Sequence, residues 1–319
     1  MKFLDLLRLS SSSLLKRKIR TILTVLGVTI GVASIVVMVS LGLGLNKSSM
    51  EQMESYGSLT AITVYEPGSY YSINATESSS DSSEEEKRLD DALVETIRQL
   101  PHVEMVSPIL NVSVLARCGI YESNVYVQGM SAEAFDAMKI PVGEGRYPDG
   151  KDGTLEFLYG NMALQSFYVS STGSYPYYEK GELPDIDLME DPIFYIFDLD
   201  AYYQSRSGSS GSGGTTTVAP PKRYMFDTSG IVAGGDEEWN SFSYNVYCEI
   251  ESLKTELKRI FKNKAIPGQP TTQSGKPYKE IFYNQIYVDV DSIENVAEVQ
   301  NAINAMGYQA SSNAEWVQA

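Results

Sequence analysis

Few residues in this sequence have the types and spacing that catalysis requires. His102 is the only histidine among the 319 residues, so a Ser–His–Asp triad or a His-based zinc site has almost nothing to draw on. No Gly-x-Ser-x-Gly nucleophile motif occurs. The nearest approach to a phosphate-binding loop is Gly275-Lys276, but Pro277 follows it and Pro270 stands where the first glycine belongs. The sequence therefore predicts no catalytic residue, no cofactor and no metal site, and an anchored enzyme is the least favoured function class.

Two polar stretches read as solvated loops. The segment around Asp81 and Glu84–Glu86 is acidic enough to attract calcium, but it lacks the alternating ligands and the glycine of a calcium-binding loop. Its serines and acids cannot bury enough apolar surface to offset the entropy of ordering. The stretch Ser205–Thr217 is rich in glycine and serine and predicts a flexible loop.

The two cysteines, Cys118 and Cys248, have two readings. If both lie outside the cytoplasm, an oxidising compartment would let them form a disulfide. The alternative is that each is a small buried hydrophobic residue, because two cysteines in a domain with an adequate core do not indicate a disulfide scaffold. Sequence alone leaves the pairing open.

The element that must position everything else is an uncharged run, Thr21–Leu45. These 25 residues contain no proline and no aromatic residue. As a helix they span roughly 37 Å, enough to cross a hydrocarbon core of about 30 Å. A cleaved signal peptide is the rival reading, but its apolar region would be shorter and would end at a small-residue cleavage site. The run therefore predicts a transmembrane helix.

Charge gives this helix an orientation. Residues 1–20 carry six basic residues and one acid, a net charge of +5, and the remaining 19 basic and 40 acidic residues give −21. Because positive flanks stay in the cytoplasm, we expect residues 1–20 inside, as a basic amphipathic segment on the membrane surface or as a solvated leader. Residues 46–319 should then be extracytoplasmic. Their acidity argues against nucleic acid as a partner.

Within the helix, Gly27 and Gly31 form a Gly-x-x-x-Gly pair. Small residues four positions apart let a second helix approach closely, so they are candidate helix-packing residues. Glycine is also common in membrane helices generally, and the spacing alone does not decide between these readings.

The exterior part predicts an α+β fold. Strand-like alternation at 59–65, an amphipathic helix at 90–100, strands interrupted by Pro108 and a short helix at 132–140 give the order strand, helix, strand, strand, helix. Near the C-terminal end a strand leads into a helix opened by an Asp291/Glu294 capping box and stopped by Gly307. Residues of about 160–220 are tyrosine-rich and suggest an inserted lobe. Its tyrosines either line a peptide or glycan surface or serve as ordinary strand and surface residues.

Taken together, these segments resemble a known family. The leader and helix, LKRKIRTILTVLGVTIGVASIVVMVSLGLGL, resemble the first membrane helix of MacB/FtsX-type ABC transporter permeases. Downstream, the order of VEMVSPIL, VYVQGMSAEAF, GEGRYPDG and LEFLYG resembles that of the MacB-like periplasmic core domain. The stretch IYVDVDSIENVAEVQNAINAMGY is similar to that domain's closing strand and helix. The likeness covers about residues 15–312, except for the tyrosine-rich middle.

The resemblance implies a two-lobed α+β exterior domain, with one lobe inserted in the other, on a four-helix permease. Such a permease would sit in the plasma membrane as a dimer with a second copy and would work with an ABC ATP-binding subunit, separate or fused. It would export or extract a peptide, antibiotic or lipoprotein. One alternative is an FtsX-like activator of extracellular cell-wall hydrolases, and another is a single-pass surface interaction protein. Since the sequence stops where a second membrane helix would follow, we expect either a shortened permease or a one-helix relative.

Overall fold

A computed structural model describes residues 18–55, 58–68, 87–206, 221–262, 264–272 and 274–312. The chain divides into two compact units, Met1–Ser55 and Tyr56–Ala319. Most of the predicted leader (1–17) and of the two predicted loops (78–86 and 207–217) lies outside the described residues.

The first unit contains a single described helix, α1, at Lys18–Ser55. Within the described residues, its stretch Lys18–Leu45 is the one helix long and apolar enough to cross a membrane, and none of that stretch is buried. Three hydroxyl groups bond to their own helix: Thr24 Oγ1 donates to Arg20 O (3.0 Å), Thr29 Oγ1 to Val25 O (2.7 Å) and Ser34 Oγ to Ile30 O (2.8 Å). The helix therefore presents no unsatisfied hydroxyl from these residues to a hydrocarbon solvent.

The second unit is built on one large mixed sheet with helices packed against it. Its helices are α2 (Asp91–Arg98), α3 (Ala132–Ala137), α4 (Pro176–Lys180), α5 (Leu199–Arg206), α6 (Ile250–Phe261) and α7 (Val296–Ala305). Its strands are β1 (Ala61–Tyr65), β2 (Val103–Cys118), β3 (Tyr121–Met130), β4 (Val142–Gly145), β5 (Glu156–Tyr159), β6 (Tyr168–Val169), β7 (Phe194–Ile196), β8 (Tyr224–Met225), β9 (Asp227–Val232), β10 (Val246–Glu249), β11 (Gln285–Val290) and β12 (Gln309–Ser312).

Along the sheet the strands run in the order β12-β1-β11-β2-β3-β10-β5-β9-β4. The pairs β10–β3 and β5–β9 are parallel, and the other neighbours are antiparallel. The short strands β6, β7 and β8 pair beside this path, β6 with β3 and β7 with both β2 and β8. This mixed sheet with helices confirms the predicted α+β class.

One strand belongs to both halves of the sheet. Residues 103–109 of β2 pair with β11, and residues 110–118 pair with β3. We call β12, β1, β11 and the start of β2 the first half-sheet. The second half-sheet consists of the rest of β2, from residue 110, and strands β3 to β10. A two-residue turn at Gly119-Ile120 joins β2 to β3, and Gly119 has φ +57°, the conformation that the first position of a type II′ hairpin turn requires.

Pro108 does not interrupt this strand, and that prediction was wrong. Asn284 N donates to Ile109 O at 3.0 Å, so the backbone of Ile109 points toward β11. Because successive residues point their backbone groups to opposite sides, Pro108 points to the other side. Pairing with β3 begins only at Leu110, so the missing N–H of proline costs no ladder bond there.

Helices cover the sheet and complete the core. On α2 the buried residues are Leu93, Val94 and Ile97, and on α7 they are Val296, Val299 and Ile303. These belong to the same apolar cluster as Leu253 and Leu257 of α6 and the strands of both half-sheets. A second cluster surrounds Phe135 of α3. The two half-sheets therefore share one continuous core.

The inserted lobe at about 160–220 stays a prediction, and the described part of this tyrosine-rich segment packs into the main core. Within its described part, to residue 206, Phe167, Tyr195 and Phe197 are buried in the main core cluster. The strands β6 and β7 in this segment pair with β3 and β2. The first half-sheet is built from two separate parts of the chain, β1 with the start of β2, and β11 with β12. Residues 110–284 lie between these two parts.

The helix that follows β11 begins later than predicted. The helix α7 starts at Val296 with Asn295 as its N-cap, and no side-chain capping bond is made. The Asp291 carboxylate instead accepts from Asn295 Nδ2 (2.7 Å) and contacts His102 Nδ1 (2.9 Å), so the predicted capping box is wrong. Gly307 has φ +86° directly after the C-cap and ends the helix as predicted.

His102 should make stability depend on pH. Its pKa is raised by the hydrogen bond to Asp291, while the pKa of Asp291 is lowered first by Asn295 and then by His102. A raised histidine pKa stabilises the fold fully below about pH 6.5, and this contribution is lost as the pH rises through the raised value. His102 is the only histidine, so no other imidazole titrates in that window.

We predict that His102→Asn lowers the free energy of unfolding more at about pH 5.5 than at about pH 8.5. Asparagine suits the test because His102 has φ +67°, a conformation that asparagine tolerates. Urea unfolding of the purified chain in detergent gives the difference at each pH. The matched change Asp291→Asn should also make the free energy of unfolding depend less on pH. If the difference in this free energy between wild type and variant is the same at both pH values, the proposed coupling between His102 and Asp291 is refuted.

Candidate functional site: the membrane helix and the Glu122 cluster

Gly27 and Gly31 lie on one side of α1, because four residues return nearly to the same angle of an α-helix. A Cβ atom added at either position would meet nothing within 4 Å in the described chain. Glycine inside a helix costs roughly 0.5–1 kcal/mol relative to alanine, and the described contacts give no compensating close approach. The pair therefore leaves a strip without side chains on the helix, and its role in helix packing stays a prediction.

At the hairpin end of β2, a buried carboxylate has partners from three parts of the chain. Glu122 is fully buried on β3. Tyr202 OH donates to its Oε1 (2.7 Å), and Arg206 Nη1 donates to its Oε2 (2.9 Å). Arg117 Nη1 lies 3.5 Å from Oε1, and Tyr168 OH lies 3.5 Å from Oε2. These five residues are called the Glu122 cluster below.

The cluster fixes the hairpin to the tyrosine-rich segment. Arg117 and Glu122 are direct partners across the β2–β3 ladder, next to the hairpin turn. Arg206, at the end of α5, also donates to Ser170 O (2.9 Å) beyond β6. Two arginines against one carboxylate supply the charge that a buried acid requires. The cluster thereby holds α5 and β6 against the end of the hairpin.

Burial keeps the tyrosines of this cluster in their neutral, donating form. Burial first, and then the hydrogen bond to Glu122, raise the pKa of Tyr202. Burial followed by the charge of Glu122 raises the pKa of Tyr168. The hydrogen bond to Tyr202 is the main cause of a raised pKa at Arg206, so its guanidinium stays charged. The two tyrosines and Arg206 therefore keep one ionisation state near neutral pH.

Sequence reasoning missed this cluster. Glu122 and Arg206 are 84 residues apart in the chain, and no local pattern links them. The buried pair Tyr159 and Tyr195, whose hydroxyls meet at 2.6 Å, was likewise invisible. A useful signal was the tyrosine count itself, because a buried tyrosine needs a hydrogen-bond partner and so indicates buried polar groups nearby.

The two cysteines are both buried and both free. Cys118 pairs with Tyr121 of β3, whereas Cys248 pairs with Gly129 of the same strand. Eight residues of strand correspond to roughly 26 Å, far beyond the Cα separation of about 7 Å that a disulfide tolerates. The two thiols therefore lie far apart in the structure, and each serves as a small core side chain. Burial raises the pKa of both thiols, which makes them poor nucleophiles.

We predict that Glu122→Gln lowers the free energy of unfolding by about 2 kcal/mol, because two arginines lose their anionic partner. The cost should fall short of a fully buried pair, since the Arg117 and Arg206 side chains are 31% and 47% exposed and can rehydrate. Urea unfolding in detergent at pH 7 measures it. The matched control is Glu95→Gln, which removes the exposed partner of Arg98 and should cost less than about 0.5 kcal/mol. Equal costs for the two variants would contradict a structural role for the cluster.

Comparisons with known proteins agree with this architecture. A family model described as the MacB-like periplasmic core domain matches residues 21–164. The macrolide export ATP-binding/permease protein MacB of Bartonella quintana is 31% identical over 160 residues, covering 49% of this chain and 23% of that protein. The pyoverdine export ATP-binding/permease protein PvdT of Pseudomonas aeruginosa is 32% identical over 136 residues, covering 42% and 19%.

Two solved structures are similar to this chain at low sequence identity. The periplasmic region of MacB from Actinobacillus actinomycetemcomitans is 11% identical with a TM-score of 0.48, covering 84% of this chain and 95% of that one. The extracellular domain of the noncanonic ABC-type transporter YknZ is 10% identical with a TM-score of 0.41, covering 79% and 100%. The matched region spans only about a fifth to a quarter of the two curated relatives above. Residues 21–164 are therefore similar to the MacB-like periplasmic core domain, and the described residues also contain one helix that is long and apolar enough to cross a membrane.

Proposed function

We propose that this chain is part of an ABC-type export permease whose extracytoplasmic domain transmits ATP-driven motion to the outside of the membrane. The observation that carries the proposal is strand β2, which is shared by both half-sheets. Its 16 residues correspond to roughly 50 Å of strand. A strand paired to neighbours along its length moves with them, so a displacement at one half-sheet reaches the other.

The packing around β2 supports the proposal that the two half-sheets move together as one rigid body. The main apolar cluster contains residues of both half-sheets, and close-packed interiors transmit strain because they have little room to deform. The Glu122 cluster fixes the far end of the hairpin to α5 and β6. A domain of this kind is suited to mechanical work, in which two copies move relative to one another and change what they hold.

The remaining parts of the machine are proposed from the relatives. Their names join ATP binding and permease activity, so an ATP-binding component, separate or fused, would supply the energy. A second permease copy would complete a dimer across the Gly27/Gly31 strip. The cargo would be a peptide, an antibiotic or a lipoprotein, and the macrolide and pyoverdine exporters among the relatives favour a small organic compound among these.

One observation favours a second candidate, an FtsX-like activator of cell-wall hydrolases or a surface interaction protein. Tyr168, Tyr175, Tyr177 and Tyr178 form a chain of ring contacts with centroids 5.4–6.1 Å apart. Tyr178 is 68% exposed. Exposed rigid aromatic side chains give contact area at low entropy cost, which suits a protein or glycan partner.

We predict that Gly27→Leu combined with Gly31→Leu weakens dimer association in the membrane by about ten-fold, which corresponds to roughly 1.4 kcal/mol. The physical reason is that leucine side chains prevent the close backbone approach that small residues permit. The helix itself should persist, because leucine is a better helix former than glycine. The matched control is Gly42→Leu combined with Gly44→Leu, which adds the same volume at positions two residues apart and hence on opposite sides of the helix.

The functional readout uses the natural full-length protein reconstituted with its ATP-binding component. The permease alone should not hydrolyse ATP if that component is a separate chain. In the Gly27/Gly31 variant, ATP hydrolysis should continue while ATP-driven export is lost. Unchanged export would remove this strip from the mechanism, and export without any ATP-binding component would overturn the transport proposal.

A labelling experiment tests the proposed orientation, with residues 1–20 inside and residues after 45 outside. Both native thiols are buried, so a membrane-impermeant maleimide should react with them slowly. We predict that intact cells label Ser171→Cys, an exposed position, and label Ser10→Cys only after lysis. The reverse order of labelling would show that the charge asymmetry was misread.

A further inference from the structure

A cavity of about 580 Å³ opens between α6 and the loop that follows it. Its apolar lining comes from Leu257 and Phe261 of α6 and from Ile266 and Ile281 of the loop. Leu257, Phe261 and Ile281 are buried, so they form the floor of the cavity rather than its rim. A volume of this size is within the usual range for small-molecule sites.

The loop wall of the cavity is held in place by its own hydrogen bonds. Gln269 binds the backbone of Phe282 twice, donating from Nε2 to Phe282 O (2.8 Å) and accepting at Oε1 from Phe282 N (2.8 Å). Thr272 N donates to Lys276 O (2.8 Å), and Lys276 N donates to Thr272 Oγ1 (3.1 Å). The described part of this wall is therefore preformed, and a ligand would bind without first ordering it.

The charge of this cavity is opposite to that of the domain. Residues after 45 have a net charge of −21, yet the cavity is lined by five lysines against the single acid Glu280: Lys258, Lys262, Lys264, Lys276 and Lys279. All five are exposed, and none of their ammonium groups has an ion-pair partner among the described residues.

The neighbouring bases on the same helix behave differently. Lys254 Nζ lies 2.9 Å from Glu251 Oε1, and Arg259 Nη2 lies 2.7 Å from Glu256 Oε2. The helix therefore has acids available for pairing, but it pairs them with the two bases that do not line the cavity. No acid among the described residues forms an ion pair with the lysines that line the cavity.

We propose that this cavity binds a small amphiphilic anion, with an apolar or aromatic body and a phosphate or carboxylate group. The apolar floor would cover the body, and the lysines would pair with the anionic group through charge-assisted hydrogen bonds. The inference does not depend on the transport function, because it needs only the geometry and charge of α6 and the following loop. The ligand's source is a soluble compound or a lipid with the same head-group chemistry.

The test uses the full chain in nanodiscs of zwitterionic phosphatidylcholine, with empty nanodiscs as background. The probe is 1-naphthyl phosphate, compared by calorimetry with inorganic phosphate, which lacks the body, and with 1-naphthol, which lacks the charge. We expect naphthyl phosphate to bind about ten-fold or more tightly than either, and more weakly as salt rises. If water-soluble dihexanoyl phosphatidylglycerol competes with the probe, the ligand is of the lipid type. If it does not compete, the ligand is a soluble compound.

Variants of exposed lysines separate this site from general surface charge. Lys264→Gln combined with Lys276→Gln should weaken naphthyl phosphate binding by about ten-fold. Lys180→Gln combined with Lys222→Gln makes the same charge change away from the cavity and should leave binding unchanged. All four positions are exposed, so folding should be retained, and urea unfolding checks it. Equal binding of inorganic phosphate or of naphthol, or equal loss in both double variants, would overturn the proposal.

Discussion

The backbone pairing of β2 is the constraint on which the rest of the exterior domain depends. Its first residues complete a half-sheet with β11, where Val106 pairs with Val288, and its last residues pair with β3 across a two-residue turn. The hairpin closes a very short loop, whereas the β11 pairing closes a loop of some 180 residues. Because loop-closure entropy grows with length, the hairpin is the cheaper pairing and gives the distant strand a preformed edge.

This arrangement explains why a charged cluster can sit at the far end of the hairpin. Removing a carboxylate from water costs several kcal/mol, and a buried ion pair seldom stabilises a fold more than apolar packing would. The arginines of the Glu122 cluster remain partly exposed, which lowers their own desolvation cost. The contribution of the cluster is therefore positional. It specifies where α5 and β6 lie against the hairpin, a task that a non-directional apolar contact performs less well.

Sequence reasoning succeeded where a pattern is local and failed where a partner is distant. The apolar run that includes Gly27 and Gly31 predicts a membrane-length helix because length and composition suffice. The stop at Gly307 was predictable for the same reason. Asp291 matched a local capping pattern, but His102, 189 residues earlier, supplied a competing partner for its carboxylate. Pro108 looked like a strand breaker because sequence cannot tell which side of a strand lacks a neighbour.

Net charge and local charge also differ in this protein, because the acidic domain contains a cavity lined by lysines. At about 0.1 M salt the Debye length is about 10 Å, so a charged group senses mainly the charges within about that distance, and a group inside the cavity senses mainly the nearby lysines. An extended polyanion such as nucleic acid must place many of its charges over acidic surface to reach the cavity, and it is repelled. A compact anion places its single charged group among the lysines and its body on the apolar floor. The net charge of −21 and the lysine-lined cavity are therefore complementary, since the first excludes large polyanions from a site that the second makes attractive to small ones.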